Sequence, residues 1–382
     1  MSSTKKIQIK VPSGSLFKTT AALSGLVSSH PVLPILNNFL FEIAVDSVTI
    51  TASDLYTTVI TQLPSKSTGK GKIAVPASIL IETLRNIPEQ PLEIEIDTNQ
   101  WSLLLITSNG RYRIACENPI DFPETPRAAE EKHLNVKTSV FKKALKQTIF
   151  AASKDDMHPN ICGLHVAVNP DGMTFVATDG HRLARYRINR PLDLLPESRT
   201  LASKSIQLLI QLLSDQSEEL SLSLDKKHVH FWSGSVHIVC SVIDDTFPDY
   251  DGVIPIESPY QLTIPTSSLR SAMKIIDFYA SKSTHEVCWS IEKDNIIIEG
   301  EDLEFSNKGE VKLACAYEGE AMKIGINAKL FFDMIKNVKD EEVVLHFESP
   351  QKAVVLRPTK QDKGEDLLML IMPISLRKPS EK

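Results

Sequence analysis

Three stretches of this chain are versions of one another, and that repeat restricts the fold more than any other feature. "KVPSGSLFKTTAALSGLVSS" from Lys10 resembles "NVKTSVFKKALKQTIFAAS" from Asn135 and "TIPTSSLRSAMKIIDFYAS" from Thr263. Each reads as an apolar lead-in, a Ser/Thr cap and a helical period. A second set begins at Lys72, Thr200 and Lys323, each a strand end, a cap-like Pro, Ser or Asn, and an amphipathic helix. Between the two helices lie strand pairs carrying the matched steps Ser53-Asp54, Thr178-Asp179 and Glu301-Asp302. The offset is about 125 residues throughout, far longer than the period of a short-repeat solenoid. "DFPETP" at Asp121 and "TFPDYDGVIP" at Thr246 mark two linkers. The expectation is three α+β domains of two helices and mostly antiparallel strands, at 1–126, 133–250 and 256–376, with a polar tail at 377–382.

The charge is unevenly placed. The chain is −6 overall, which by itself argues against a nucleic-acid partner. The six helix windows (13–28, 76–87, 138–152, 203–214, 266–282 and 327–339) nevertheless hold twelve Lys or Arg and three acids. One such helix is an ordinary solvated face. Six biased together form the footprint of contact with a phosphate backbone, and no sequence-reading motif accompanies them.

Chemistry is hard to find. "GKGK" at Gly69 lacks the spacing of a phosphate-binding loop, and no nucleophile elbow is present. Five cysteines stand far apart, as in a reduced cytosolic protein. The N-terminus shows no secretory signal, and the longest apolar run is about half a membrane span. In "HVHFWSGSVH", His228 and His230 share one strand face, but no acidic or Cys ligand is spaced to complete a metal site, and the segment is expected to be an exposed edge strand. "FVATDGHRLARYRI", Phe175 to Ile188, reads as a hairpin around an Asp-Gly step, with Gly180 supplying an unusual backbone angle. The other two repeats keep the Asp but lack His181 and Arg182, which favours a local binding role over shape alone.

"ATDGHRLA" (177–184), "LPILNNFLFE" (33–42), "FPDY" (247–250) and "MPISL" (372–376) resemble signatures of the bacterial DNA sliding clamp family, the beta subunit of DNA polymerase III. Their order and spacing extend over nearly the whole chain. The resemblance implies a head-to-tail homodimeric ring with helices lining the hole, threaded by duplex DNA without sequence readout. It implies a processivity factor of the polymerase III holoenzyme, cytoplasmic, with no enzymatic activity, cofactor, metal or membrane. Partners would be the replicative polymerase, the clamp loader and repair proteins, docking through short linear motifs. Their cleft, carried over position by position, would be formed by Thr178, Gly180, His181, Arg182, Leu183, Pro248, Val253, Asn327, Met372, Pro373, Ile374 and Leu376. Met372-Pro373 also reads as a last strand sealing the core. The ring contact would set Tyr112 and Ile114 against Phe278 and Tyr279, although "FYAS" equally reads as the buried end of a helix.

DNA-facing positions rest on helix placement, at Lys142, Lys143, Lys146, Lys204, Arg270, Lys274, Lys329 and Lys336. His30 stands where many family members carry an Arg near the DNA, and Asp251-Gly252 where an Arg often sits beside the cleft. Two other readings compete: a peptide-binding scaffold that never encircles DNA, and a hydrolase using Asp179 and His181.

Overall fold

A computed structural model describes residues 6–27, 31–128, 133–192, 195–214 and 218–376. His30 and the tail Arg377 to Lys382 lie outside them. Six α-helices occur among the described residues, two per repeat: α1 (Ser13–Ala22), α2 (Ala77–Arg85), α3 (Thr138–Thr148), α4 (Ser203–Leu212), α5 (Thr266–Ile276) and α6 (Ala328–Ile335). None is long and apolar enough to cross a membrane.

The expected Ser/Thr caps are not caps. Pro12 and Pro265 hold the N-cap positions of α1 and α5 without any side-chain bond, and Ser13 and Thr266 are the first helical residues. The reason is that each strand runs straight into its helix beside another strand's end. The Ser13 N–H donates to Gln90 O (2.9 Å), that of Thr138 to Glu218 O (3.2 Å) and that of Thr266 to Glu341 O (2.8 Å). Backbone carbonyls thus satisfy donors that a helix start leaves open. α6 carries a side-chain cap, Asn327 Oδ1 accepting from the Leu330 N–H at 2.9 Å. The helices are also shorter than their windows. After α1 and α3 the chain tightens into 3-10 turns, Leu23–Leu26 and Ile149–Ala151. Near each end a threonine hydroxyl, Thr20 or Thr148, donates back to the carbonyl four residues earlier (2.9 and 2.7 Å), a bond that bends helices.

The chain divides into two compact units, Met1–Lys142 with Gln207–Val242, and Lys143–Ile206 with Ile243–Lys382. The first unit has a five-stranded antiparallel sheet ordered Lys66–Ser67, Ile7–Pro12, Pro91–Asp97, Ser102–Ile106, Arg111–Ala115. Its second sheet has eight strands and crosses the repeat boundary: Val236–Ser241 of the second repeat pairs with Thr57–Pro64 of the first, from Val236↔Thr61 to Cys240↔Thr57. The second unit repeats the arrangement. Its nine-stranded sheet joins Arg182–Asn189 to Glu365–Ile371 over seven paired positions, and a four-stranded sheet ends on Asn307–Ala314. Both units are therefore α+β with antiparallel sheets. Strand alternation supplies the core: Ile94, Ile96, Leu103 and Leu105 in the first unit, and Leu262, Ile264, Val343 and Leu345 in the second, are all buried.

The strand expected at Thr174 to Thr178 spans Gly172–Thr178 and is buried at every position. Its turn is the expected hairpin. Asp179 Oδ1 accepts from the N–H groups of His181 (3.0 Å) and Arg182 (2.9 Å), and the same role falls to Asp54 (to Tyr56 and Thr57) and Asp302 (to Glu304 and Phe305). The carboxylate common to the three repeats thus builds a turn. At the next position the backbone is left-handed in two repeats, Leu55 at φ 77° and Gly180 at φ 83°. A Cβ on Gly180 would meet nothing within 4 Å, so its absence serves the angle rather than space. Gly180→Ala is expected to cost about 1–2 kcal/mol, read as faster hydrogen exchange across this hairpin.

Candidate functional site

In the second unit an apolar cluster forms on the central strands of the large sheet, around one of the sequence-derived cleft residues, Leu183. Val176, Leu183, Phe247, Ala353, Val355, Leu368 and Leu370 form one buried apolar cluster, with Ile161, Tyr250 and Ile254 packed on it partly buried. Phe247 stacks on His165 with ring centroids 4.6 Å apart, and burial pushes the His165 pKa down to about 4. That imidazole is held neutral, one face on Phe247 and its Nδ1 3.1 Å from the Thr200 hydroxyl. Pro248, Val253 and Met372 are exposed. Of the twelve carried-over residues, Leu183 alone belongs to the cluster. The aromatic and aliphatic floor was missed, although Phe247 directly precedes Pro248 and the period-2 pattern of the strands exposes the rest.

The C-terminal segment leaves the sheet beside this floor. The last strand, Glu365–Ile371, seals the core as one reading of Met372-Pro373 expected, but it stops at Ile371. The Met372 N–H then donates to His181 O (2.8 Å) and the Ile374 N–H to Gly325 O (2.9 Å). Gly325 is required by that approach, since a Cβ there would lie 2.3 Å from Ile374 O.

Arg182 is an internal tie. It is 6% exposed. Its Nε donates to Asp179 Oδ2 (2.9 Å), Nη1 to Leu330 O (3.2 Å) and Asp333 Oδ2 (3.3 Å), and Nη2 to Phe150 O (3.0 Å). One guanidinium thus fastens the second-repeat hairpin both to the 3-10 turn after α3 and to α6 of the third repeat. Burial raises the Asp333 pKa, but bonds and charge from Lys336 and Arg182 outweigh it, and the net shift is downward. Asp179 accepts with Oδ1 from the turn and with Oδ2 from Arg182. Asn327 is likewise committed: Oδ1 caps α6 and Nδ2 donates to Thr284 O (2.9 Å). His181 is exposed and Thr178 buried, its hydroxyl donating to Arg182 O at 2.7 Å. Asp251, where a cation was noted as missing, lies 3.7 Å from Arg185 Nη1 and 3.6 Å from Arg187 Nη2.

The helix cations divide into two groups. Lys146, Lys204, Lys274, Lys329 and Lys336 are exposed, Lys336 pairing with Asp333 at 2.5 Å. Three others are used by the fold. Lys142 Nζ donates to Leu213 O (2.8 Å) and Arg270 Nη2 to Val338 O (2.9 Å). Lys143 sits between Asp362 (2.6 Å) and Glu365 (2.7 Å); burial opposes its charge, yet these bonds hold its pKa above the ordinary lysine value.

At the expected ring contact, Phe278 is 65% exposed, Tyr279 40% and Tyr112 43%. "FYAS" is therefore not a buried helix end, apart from Ala280. Ile114 differs from the expectation: it is buried, because it pairs with Leu103 on the core face of its sheet.

Three copies of a two-helix, antiparallel-sheet unit, with large sheets continued from one copy to the next, define the DNA-clamp class of fold. The chain belongs to the DNA polymerase III beta subunit family: models of its N-terminal, central and C-terminal domains match residues 7–126, 135–249 and 251–375. A beta sliding clamp from Synechococcus elongatus is 24% identical over 366 residues, covering 93% of this chain and 96% of that one. The Bacillus subtilis beta sliding clamp is 25% identical over 362 residues, covering 91% and 94%. Among solved structures, the Thermotoga maritima DNA polymerase III beta subunit superposes with a TM-score of 0.89 at 24% identity, over 97% of this chain and 100% of that one. A Pseudomonas aeruginosa sliding clamp bound to griselimycin gives 0.90 at 21% identity, over 97% and 100%.

Proposed function

We propose that this chain is a processivity clamp whose two copies close head to tail around duplex DNA, and whose apolar floor and C-terminal segment receive short linear motifs. Those motifs belong to the replicative polymerase, the clamp loader and repair proteins. The role is one of tethering, performed on DNA in the cytoplasm without catalysis. The observation that carries the reading is a pair of open strand edges. Arg111–Ala115 ends one sheet of the first unit and Asn307–Ala314 ends one sheet of the second. Exposed aromatic residues lie beside them: Tyr112 on the first edge, and Phe278 with Tyr279 at the second, where Tyr279 packs against Gly309. An unpaired edge is a template for pairing. Two different edges on one chain make a heterologous contact, which gives a finite ring when its rotation closes.

The exposed lysines on α3, α4, α5 and α6 suit loose, non-specific phosphate contact. Griselimycin binding by the Pseudomonas protein supports a ligand-accepting surface on this fold.

The clamp reading is tested on nicked circular DNA, with the protein loaded by its cognate loader and ATP and isolated by gel filtration. Protein should stay with the circle and be released when a restriction enzyme linearises it. Equal retention on linear DNA would show ordinary binding rather than encirclement. A scaffold that never encircles DNA would not co-elute with the circle at all.

A further inference from the structure

The histidine-rich strand is not the edge that its sequence suggests. His228–Ser233 lies inside the eight-stranded sheet, paired on one side with Glu219–Leu224 and on the other with Val236–Ser241. Its alternate residues face opposite ways. Phe231 packs on Phe141 of α3, with ring centroids 5.8 Å apart, so His228, His230 and Trp232 occupy the face away from that helix. The missing acidic residue is supplied by the preceding turn. Asp225 Oδ1 accepts the N–H groups of Lys227 and His228, both at 2.7 Å, and this holds the carboxylate beside the two rings.

Three observations converge there. Donor atoms of Asp225, His228 and His230 all lie within 4.8 Å of one another. His230 is 0% exposed, and its Nε2 is buried without a hydrogen-bond partner, a state that buried polar atoms rarely keep without a reason. Lastly, that Nε2 is 3.4 Å from Asp225 Oδ2, and His228 Nδ1 is 3.7 Å from Asp225 Oδ1. Two donors held by a tetrahedral zinc at about 2.0–2.1 Å each are roughly 3.3–3.4 Å apart, so the spacing suits ligands of a common ion better than partners of each other.

We propose that Asp225, His228 and His230 form a binding site for a first-row divalent cation, with zinc the preferred ion. Two imidazoles and one carboxylate match the donor set of zinc and not that of magnesium or calcium, which take oxygen. His237 is the positioning residue. Its Nε2 is 3.1 Å from His230 Nδ1, and a proton on Nδ1 in that bond leaves the His230 Nε2 lone pair for the metal. Three protein ligands leave a fourth position to water or an outside group. Trp232 stacks on His237 with centroids 4.7 Å apart and on His230 at 5.7 Å, so its fluorescence reports on the site.

The test uses full-length protein stripped with EDTA and titrated with zinc chloride, following tryptophan emission and the thermal midpoint. Two variants accompany it: His228→Ala, at a partly exposed position, and Asp225→Asn, which keeps the amide oxygen that the turn needs. The expected result is saturable one-to-one binding with a raised midpoint, weakened roughly tenfold or more in each variant, and no response to magnesium at the same concentration. The five free thiols also take zinc, so the difference between wild type and variants is the criterion. Absent binding, equal binding by the variants, or an equal response to magnesium overturns the proposal. If neither variant folds, anomalous diffraction from zinc-soaked wild-type crystals decides: a peak between the three side chains supports the site, and its absence overturns it.

Discussion

Replacing Arg182 with alanine is expected to destabilise the second unit by about 3–5 kcal/mol, the range for breaking a buried ion pair by removing one partner. The cost has two sources. Asp179, Asp333 and the carbonyls of Phe150 and Leu330 lose the donors that now satisfy them. The hairpin also loses its fastening to two other repeat elements at once. Arg182→Lys should rescue little, since one ammonium cannot reach acceptors spread around a planar guanidinium. Hydrogen exchange is the suitable measurement, because a chain of several domains does not have a single unfolding free energy. Protection should fall along Gly172–Thr178 and Arg182–Asn189 while the five-stranded sheet of the first unit is unchanged. Acid gives a matching sign. Asp333 has a lowered pKa in the fold, so its contribution is present above the ordinary carboxylate value near 3.8 and is lost as pH falls through the lower folded value. If Arg182→Ala kept full protection and lost only peptide binding, the residue would be a docking contact and not a tie.

Gly325→Ala should instead separate docking from folding. The new Cβ would stand 2.3 Å from Ile374 O and 3.0 Å from Leu376 Cδ2, and the nearer atom is backbone. The segment from Met372 to Leu376 must move off the surface, breaking the Gly325↔Ile374 bridge, while the strand Met322–Asn327 keeps its pairing with Glu286–Glu292. A short peptide with a clamp-binding motif should then bind about 10- to 100-fold more weakly, or about 1.4–2.8 kcal/mol, by calorimetric titration. Truncation after Ile371 should reproduce that loss. Unchanged affinity in both variants would remove the C-terminal segment from the docking surface.

What could be read in the sequence was local or periodic. The repeat, the helix positions and the Asp-Gly hairpin depend on residues close together in the chain, and the structure keeps all three. The errors share a cause, which is that partners distant in sequence decide a residue's surroundings. Ser13 and Thr266 look like caps until Gln90 and Glu341 arrive to take their N–H groups. Ile114 looks available for a contact until Leu103 is found opposite. Alternation in "HVHFWSGSVH" shows two histidines on one face, yet it cannot tell an edge from a centre: His228–Ser233 lies between Glu219–Leu224 and Val236–Ser241, and it is the latter that Thr57–Pro64 of another repeat covers. Arg182 is the extreme case. Its partners Leu330 and Asp333 lie about 150 positions downstream, and no spacing rule links them to "ATDGHRLA".

The shared sheets change what a break in the chain means. The first two repeats are sewn together by the ladder from Val236↔Thr61 to Cys240↔Thr57, and the last two by the ladder from Arg182↔Ile371 to Ile188↔Glu365. A protease that nicks a linker cuts the polypeptide but not the sheet, and the fragments keep holding hands through main-chain bonds. Sequence repeats and structural modules are thus out of phase here. A gene-level rearrangement that swapped one repeat for a foreign copy would have to match half a sheet on the neighbour as well as its own core.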